Sequence, residues 1–551
     1  MTDLKMGALN RRGFLGALGS TITAAGTTSV YAAVGAQDDD FDYIVIGLGS
    51  AGCVVANQLS ARSDLRILAL EAGPTDYTPI IQNPDNYYKA KGSPIYDWNY
   101  QTTPQPNIDD RIIPAPRGRV YGGCSSINAM IYIRGNRADY DNWAYQGNRG
   151  WAYDDVLPLF IAAEGNRDIR GPLTGNSGPL TVQNYPTKSL PGEAFVQAAV
   201  QYGFKGPDWN FNGPVQEDGA GFYQFTVRTE QRGGEPRLER CSLSKAYLHP
   251  AMGRPNLSVR HNAQVQRLIV ENGRATGVTY LLNDRTLQAR ATREIILCTG
   301  AVTSPAILMR SGIGPADALR ALGIPVVVDL PGVGDNLQDH PVLPVAYRAI
   351  PTLPPLWASG VQAGLFVKTQ SRAPSAAPDL QFHFWQGDDD DPNSFSFSPT
   401  VVRPSSRGRI RLKSADYTAM PLIDPNYMQT QADIDVMIKG MELSRELVRQ
   451  RAFSKVAGAP LHDFGSARTP REMADYVRKN VRTIYHLAGS CKMGLGADAV
   501  VDPELKVYGV EGLRVADASI MPDVISGNTN AACAMIGQRA ADMILSKDNR
   551  S

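Results

Sequence analysis

The chain has 551 residues, 43% hydrophobic and 20% charged, with a formal net charge of +1 at pH 7. A chain of this length is longer than a domain with a single hydrophobic core usually is, so we expect at least two domains. The near-neutral charge gives no reason to expect nucleic acid or an anionic membrane as a partner. The six cysteines are too few for a disulfide framework, and neither CxxC nor His/Cys spacing indicates a metal.

The first segment, residues 1–37, has the composition of an export signal. Arg11 and Arg12 are followed by Phe14 and Leu15, a weakly apolar run of small residues and alanine-rich sequence. This pattern is typical of a twin-arginine signal peptide, and the run is too short and too polar for a stable membrane span. We therefore expect export by the twin-arginine machinery to the periplasm or the medium. The alternative is a tail with an accidental arginine pair.

A dinucleotide-binding fingerprint comes next. An apolar run of strand type, residues 43–46, precedes Gly47, Gly49 and Gly52, and a helical pattern, the run "RILAL" and Glu71 follow. The glycines allow a tight turn, close approach of the backbone to a pyrophosphate, and close packing of helix on strand. Glu71 is placed to accept from a ribose hydroxyl, which disfavours NADP but does not separate NAD from FAD. The alternative is a structural βαβ turn without a ligand.

Three later segments have the character of ligand-binding sequence. Arg117–Trp143 contains the pair Gly122-Gly123 before small polar residues, which suits close backbone contact with a flat ligand. The segment 299–315 places small residues directly after the apolar run "EIILC". The segment 512–544 combines a strand, Asp517, a loop and a final amphipathic helix.

Together these segments resemble the glucose–methanol–choline (GMC) flavoprotein oxidoreductase family. The similarity extends from about Asp42 to Ile544 and rests on separated motifs in the family's order. They are the fingerprint, "GGCSSIN", "GAVTSPAILMRSGIGP", "RPSSRGRIRLKSADYTAMPLIDPNYM" and the C-terminal block from His486 to Asn528. "VYGGCSSINAMIYIRG", "NGPVQEDGAGFYQ" and "PDLQFHFW" are most similar to the bacterial branch that contains choline, sorbose and polyethylene glycol dehydrogenases.

The resemblance implies an α/β fold of two domains (α+β in overall arrangement). A Rossmann-type FAD-binding domain would be built from residues 40–160, 225–340 and 480–548, and a substrate domain with a large antiparallel sheet from residues 161–224 and 341–479. Short alternating runs broken by turn residues, such as "GRIRLKS", are typical of strands in the second domain. The run "QADIDVMIKGMELSRELVRQ" has helical spacing.

The resemblance also implies a catalytic pair beside the flavin, His486 in "YHLAGSCKMG" and Asn528 in "SGNTNAACAMIG". Asn528 is chosen over Asn530 by its distance from the closing helical sequence "QRAADMI". An imidazole with a pKa near ~6.5 can accept the hydroxyl proton while the carbon gives up a hydride. The Asn528 amide would hold the oxygen as negative charge develops. The alternatives are a core histidine and a turn-stabilising asparagine.

The family pattern further implies a set of residues in contact with FAD, for each of which ordinary packing is the alternative. They are Gly47, Gly49, Ser50, Ala51, Gly52, Glu71, Ala72, Gly122, Ser126, Asn128, Ala129, Val265, Asp517, Ala518, Asn528 and Thr529. Some relatives bond FAD covalently through a histidine in the "GGCSS" segment, where this chain has Ile127. We therefore expect non-covalent, dissociable FAD, and no metal.

One segment departs from the family pattern. Thr226–Leu248 carries a charged insertion where relatives run directly from a basic turn to the next motif. A surface loop is expected, and a segment that reshapes substrate access is the alternative.

The sequence thus predicts an exported FAD-dependent dehydrogenase that oxidises a primary alcohol to the aldehyde. The electrons would pass to a quinone, a cytochrome or a dye. An oxidase that reduces O2 to H2O2 is the main alternative, and Ile484 and Tyr485, beside His486, are the side chains that bear on it. A lyase or a non-catalytic flavin-binding protein on the same fold is less favoured, because a scaffold has no use for a base beside the flavin. The alcohol itself stays open.

Overall fold

The structure is a computed structural model that describes residues 40–548 except 215, 233–234, 355–359, 370–376 and 388–390. The expected signal segment, residues 1–37, lies outside the described residues. Among the described helices, none is both long enough and apolar enough to cross a membrane.

The first sheet has seven strands and carries the fingerprint. Its strand order is Leu257–Arg260, Ile67–Leu70, Asp40–Ile46, Arg285–Leu297, Arg274–Leu282 and Gln264–Glu271, with Leu513–Val515 also paired to Arg285–Leu297. Pairing is parallel on both sides of Asp40–Ile46, whereas the strands from 264 to 290 pair as an antiparallel meander. Ile67–Leu70 is buried throughout, as expected for a parallel strand covered on both faces.

Two helices pack together over this sheet. Ser50–Ser60 follows the fingerprint strand and contacts the closing helix, Asn530–Asp548. A Cβ on Gly537 would lie 2.6 Å from the Ala51 carbonyl oxygen, so the glycine permits the close approach of the two helices. The other helices of eight or more residues are Arg137–Tyr145, Tyr153–Ala163, Leu190–Tyr202, Gly300–Arg310, Gln431–Val448 and Pro470–Asn480.

The second sheet has nine strands and is antiparallel throughout. Its strands are Ala457–Pro460, Ala346–Ala349, Ser394–Ser396, Leu380–Gln386, Pro399–Val401, Pro341–Val342, Arg482–Thr483, Val361–Val367 and Gly219–Phe222. Helices Leu190–Tyr202 and Gln431–Val448 pack on it. Phe195 lies stacked on Phe384 in the fully buried core between helix and sheet, and each such ring stabilises the fold by roughly 1.5–3 kcal/mol.

The two sheets confirm the expected mixed α/β fold. All strands of the first sheet fall in segments assigned to the FAD-binding domain. The strands of the second fall in the substrate segments, apart from Arg482–Thr483, which lies in the segment 480–548. The domain limits themselves stay a prediction. Smaller sheets pair Tyr100–Gln101 with Pro114–Ala115, Ile313–Gly314 with Val328–Asp329, Arg409–Arg411 with Leu422–Asp424, and Glu164–Asn166 with Leu180–Asn184 and Gln224–Phe225.

The charged insertion forms a hairpin. Strands Val227–Arg232 and Glu235–Arg240 pair in antiparallel register. Arg237 is exposed, as expected for a surface loop, whereas Glu239 and Arg240 are buried. The hairpin is therefore a surface feature that is anchored inside the protein at its inner end.

Candidate active site

The glycine fingerprint forms a turn into which a larger side chain would not fit. Gly47 has a φ of 86°, in the region that favours glycine, and its Cβ would lie 2.8 Å from the Cys298 carbonyl oxygen. A Cβ on Gly52 would lie 1.9 Å from the Gly47 carbonyl oxygen. Gly49 caps helix Ser50–Ser60 without a side-chain hydrogen bond. The first backbone N–H groups of this helix are therefore left for a ligand.

Three helices begin at one cavity of about 390 Å³ between the two sheets. Gly49, Gly300 and Asn530, at or beside the three helix N-termini, line it. None of the three helices has an acidic residue in its first turn. Because a helix N-terminus carries partial positive charge and unpaired N–H groups, this end of the cavity suits an anionic ligand.

Two predicted carboxylates are engaged by backbone groups. Glu71 accepts from the N–H groups of Leu48 and Gly73, each at 2.9 Å. Burial raises the pKa of Glu71 to about 7. Asp517 accepts from the Gly300 N–H at 2.8 Å, and burial raises the pKa of this carboxyl also. Glu71 thus stabilises the fingerprint turn, while Asp517 lies at the cavity wall.

The "GGCSSIN" segment forms a tight loop along the cavity. Gly122 has a φ of 85°, and a Cβ there would lie 2.3 Å from Ser126 Oγ. The Ser126 hydroxyl donates to the Tyr121 carbonyl, so this side chain stabilises the loop. Asn128 lies at the cavity wall. Its Oδ1 accepts a hydrogen bond from the Met130 N–H at 3.0 Å.

The predicted site residues divide into two groups. Those that line the cavity are Gly49, Ser50, Ala51, Asn128, Ala129, His486, Asp517, Ala518, Asn528 and Thr529. Those that do not line it are Gly47, Gly52, Glu71, Ala72, Gly122, Ser126 and Val265, of which Glu71 and Ser126 make the hydrogen bonds described above. Direct contact of each residue with FAD stays a prediction.

The predicted catalytic pair converges at this cavity. The Nε2 atom of His486 lies 3.4 Å from the Nδ2 atom of Asn528. Asn528 Oδ1 is buried, with no hydrogen-bond partner among the described residues. The two side chains therefore present one ring nitrogen and one carboxamide toward the same space, in which an alcohol oxygen could contact both.

His486 belongs to a larger cluster that the sequence alone did not reveal. Its Nδ1 atom lies 2.9 Å from Nδ1 of His340. His383 also lines the cavity, and its Nδ1 lies 3.0 Å from the Thr400 hydroxyl. Half of the six histidines in the chain therefore meet in one place.

A buried carboxylate holds two of these histidines by their backbone. Asp339 Oδ1 accepts from the N–H groups of His340 at 2.8 Å and of His486 at 2.7 Å. Its other oxygen accepts from the hydroxyls of Tyr427 and Thr483. Asp339 thus accepts four hydrogen bonds. These bonds hold the strand that ends at Thr483 in a fixed position relative to the segment around His340.

All three imidazoles are kept neutral by their surroundings. The pKa of His486 is lowered well below its ordinary value by burial first, and then by His340, His383 and Arg117 nearby. Burial also lowers the pKa of His340 to about 3 and that of His383 to about 4. At pH 7 each ring is therefore neutral and has a lone pair that can accept a proton, although the lowered pKa makes it a weaker base than a free imidazole.

The cavity wall also carries aromatic and cationic side chains. Tyr87 and Trp385 contribute rings, and Lys91 and Arg482 contribute cationic groups. Among the described residues of the wall, Asp517 is the only acid. Aromatic faces, cationic groups and one carboxyl group thus belong to the same wall.

Comparison with known proteins identifies the family. The family models for the N- and C-terminal domains of GMC oxidoreductases match residues 41–342 and 404–537. The chain belongs to the GMC oxidoreductase family. This membership confirms the resemblance seen in the sequence and makes the protein an FAD-dependent oxidoreductase of the type that acts on alcohols.

Relatives across the family agree in sequence and in fold. The chain is 39% identical to an oxygen-dependent choline dehydrogenase from Sinorhizobium fredii, over 92% of this chain and 96% of the relative. A pyridoxine 4-oxidase from Mesorbium loti has a TM-score of 0.85 at 30% identity, over 92% of this chain and 99% of the other. A variant of an Aspergillus oryzae formate oxidase, studied for its FAD modification, has a TM-score of 0.84 at 25% identity, over 94% of this chain and 100% of the other.

The residues present in this GMC protein fit FAD, its expected cofactor. The three helix N-termini suit the pyrophosphate. Arg117 lines the cavity with Nε and Nη2 buried and without a hydrogen-bond partner among the described residues. Such donors require an acceptor, which a flavin dinucleotide would supply.

His340, His383 and Asp339 are functional candidates that sequence reasoning missed. His340 and His486 are separated by 146 residues, and no local spacing connects them. The available signal was the small number of histidines in the chain, together with the short motif "LQDHP" around Asp339.

Proposed function

We propose that the protein oxidises a primary alcohol to the aldehyde, with His486 as the base and Asn528 as the residue that holds the substrate oxygen. The observation that carries this proposal is the convergence of His486 Nε2 and Asn528 Nδ2, 3.4 Å apart, at the wall of the cavity. FAD, when bound, supplies the acceptor for the hydride. Ile127 in place of a histidine supports non-covalent binding of FAD.

The proton step follows from the state of His486. Because its pKa is lowered, the ring is neutral at pH 7 and can take the hydroxyl proton on Nε2. The Asn528 Nδ2–H group can donate to the substrate oxygen as negative charge develops there, and loss of one such preorganised donor typically costs about 10²–10³ in rate. Asp339 keeps the backbone of His486 in place during the transfer.

The aromatic side chains of the described wall favour a neutral alcohol with an apolar group, for which Tyr87 and Trp385 offer faces. Choline is the second candidate substrate, because the chain is 39% identical to an oxygen-dependent choline dehydrogenase and aromatic faces also bind quaternary ammonium groups.

The electron acceptor is proposed to be a quinone or a cytochrome, with O2 as the second candidate. A dehydrogenase role agrees with the relatives named choline dehydrogenase, and an oxidase role with the pyridoxine and formate oxidases of the same fold. Export through the twin-arginine route is part of the same proposal, since a quinone or cytochrome acceptor is accessible from the periplasm. Exchange of Arg11 and Arg12 for lysine should then retain the protein in the cytoplasm.

One anaerobic experiment tests substrate and acceptor together. The holoenzyme is mixed with choline, a neutral primary alcohol and a hydroxy acid, and bleaching of the flavin's visible absorbance is followed. We expect the neutral alcohol to bleach the flavin faster than choline or the hydroxy acid, and we expect slow recovery when air is admitted. Faster bleaching by choline would favour the second substrate, and rapid recovery in air would favour an oxidase. No bleaching by any alcohol would overturn the proposal.

A further inference from the structure

The side chains on either side of His486 form a line of polar contacts. His340 Nδ1 faces His486 Nδ1 at 2.9 Å, and His486 Nε2 faces Asn528 Nδ2 at 3.4 Å. His383 lies at the same cavity, and its Nδ1 is 3.0 Å from Thr400 Oγ1. Every group in this line can both donate and accept a hydrogen bond. The choice of donor in one hydrogen bond therefore sets the donor and acceptor roles in the next.

The direction decides which nitrogen of His486 carries the proton. Two nitrogens that face each other at 2.9 Å must share one hydrogen, so exactly one of the two Nδ1 atoms is protonated when both rings are neutral. If His486 donates, its Nε2 holds a lone pair toward Asn528 and the cavity. If His340 donates, His486 Nε2 carries hydrogen and cannot accept the proton of an alcohol.

The contact with Asn528 decides between the two directions. His340 Nε2 does not distinguish them, because it is buried and has no hydrogen-bond partner among the described residues.

Asn528 presents a donor to His486. Its Nδ2 lies 3.4 Å from His486 Nε2, so an amide hydrogen can point at that nitrogen. Asn528 Oδ1 and His383 Nε2 are both buried without a hydrogen-bond partner among the described residues. A donor toward His486 requires a lone pair on His486 Nε2, so Nδ1 of His486 carries the hydrogen and Nδ1 of His340 accepts it.

We propose that His340 is a positioning residue, which accepts a hydrogen bond from Nδ1–H of His486 and so leaves the lone pair of His486 on Nε2, facing Asn528 and the substrate. His340 does not itself contact the substrate in this arrangement. The charged and titratable groups around the pair are Asp339, which holds the backbone N–H of both histidines, together with His383 and Arg117. The catalytic part of this inference rests on the proposed function.

The tautomer is directly measurable in the holoenzyme. Two-bond ¹H–¹⁵N correlation spectra of protein labelled with ¹⁵N-histidine report which ring nitrogen carries the proton, and loss of one set of signals in a His486→Gln sample assigns that residue. We expect His486 to be protonated at Nδ1 and bare at Nε2 at pH 7.5. A proton on Nε2 of His486 in the wild-type protein would overturn the inference, whatever the variants do.

Two substitutions of nearly equal bulk separate positioning from simple packing. In His340→Asn the side-chain carbonyl can replace Nδ1 as an acceptor, whereas in His340→Leu the volume is filled without an acceptor. We expect kcat with the best alcohol to fall on the order of 10²-fold in the leucine variant and less than about tenfold in the asparagine variant, with KM nearly unchanged in both. Equal loss in the two variants would contradict a hydrogen-bonding role.

A control addresses the neighbouring pair of His383 and Thr400. Thr400→Val removes the hydroxyl next to His383 but leaves the His340–His486 pair intact, so the Nδ1 proton of His486 should remain in the spectrum. Loss of that signal would show that the tautomer is set from the Thr400 side instead. If the spectra agree with the inference but no alcohol reduces the flavin, the proposed function fails while the tautomer assignment stands.

Discussion

The guanidinium of Arg240 donates to the main-chain carbonyl of Asn128 at 2.8 Å and to its side-chain Oδ1 at 2.9 Å. The same guanidinium donates to the carbonyls of Ser125 and Ile81. Arg240 is 1% exposed and lies at the inner end of the charged hairpin. The insertion thus supports the "GGCSSIN" loop from behind.

Arg240→Met should therefore weaken both the fold and cofactor retention. The substitution keeps much of the volume but leaves several buried carbonyls without a donor, so we expect the free energy of unfolding to fall by about 2–4 kcal/mol. Urea unfolding and the ratio of flavin to protein absorbance would measure the two effects. The matched control is Arg237→Met, at the exposed part of the same hairpin, which should change stability by less than about 0.5 kcal/mol. Equal effects would contradict the anchoring role.

Gly52→Ala should abolish FAD binding. The added methyl would lie 1.9 Å from the Gly47 carbonyl oxygen, so the fingerprint turn and the start of helix Ser50–Ser60 would have to move apart. The flavin absorbance of the purified variant would show the loss. Gly253→Ala is the control, because a Cβ there has no heavy atom within 4 Å. A yellow Gly52→Ala protein with full FAD content would show that the turn is not needed for binding.

Asn528→Ala should slow alcohol oxidation without releasing FAD. Removal of the donor that holds the substrate oxygen is expected to lower kcat/KM by about 10²–10³. Asn530→Ala provides the comparison, since Asn530 instead accepts from the Ser50 hydroxyl at 2.9 Å and should cost much less in rate. A larger loss at Asn530 than at Asn528 would move the catalytic role to the other asparagine.

Stability should depend on pH through the buried histidines. The folded pKa of His383, about 4, lies below the unfolded value near ~6.5, so the unfolded chain binds more protons between these pH values. The stabilisation is complete above the unfolded pKa and decreases as the pH falls. Between pH 6 and pH 5 we expect the contribution of His383 to the free energy of unfolding to fall by about 1.2 kcal/mol. His383→Gln should reduce the measured slope of urea stability by that amount, and an unchanged slope would show that the ring is protonated in the folded state.

The local parts of the fold and site were predictable from the sequence. The fingerprint predicts its own turn, because Gly47 and Gly52 have no room for a side chain, and the alternating runs predict the strands of the second sheet. His486 and Asn528 were found only through the family resemblance. His340 and His383 were not found, because their function arises from strands and loops that meet in space, and each histidine in the sequence looks like an ordinary buried residue.

The local partners of polar site residues were not predictable from the sequence. Glu71 is expected to accept from a ribose hydroxyl, which stays a prediction, and each of its oxygens also accepts one backbone N–H of the fingerprint turn. Ser126 was expected at the flavin, and its hydroxyl donates to Tyr121. Sequence patterns give the residue at a site, but the partner of each polar atom depends on the packing of neighbouring loops.

The central claim is that His486 takes the proton of the alcohol during hydride transfer. Its most direct test is stopped-flow flavin reduction, without oxygen, of the His486→Ala holoenzyme by the best alcohol substrate. We expect reduction to slow by about 10²–10⁴ while the FAD content stays at the wild-type level. Reduction of the variant's flavin at the wild-type rate would contradict the role assigned to this histidine.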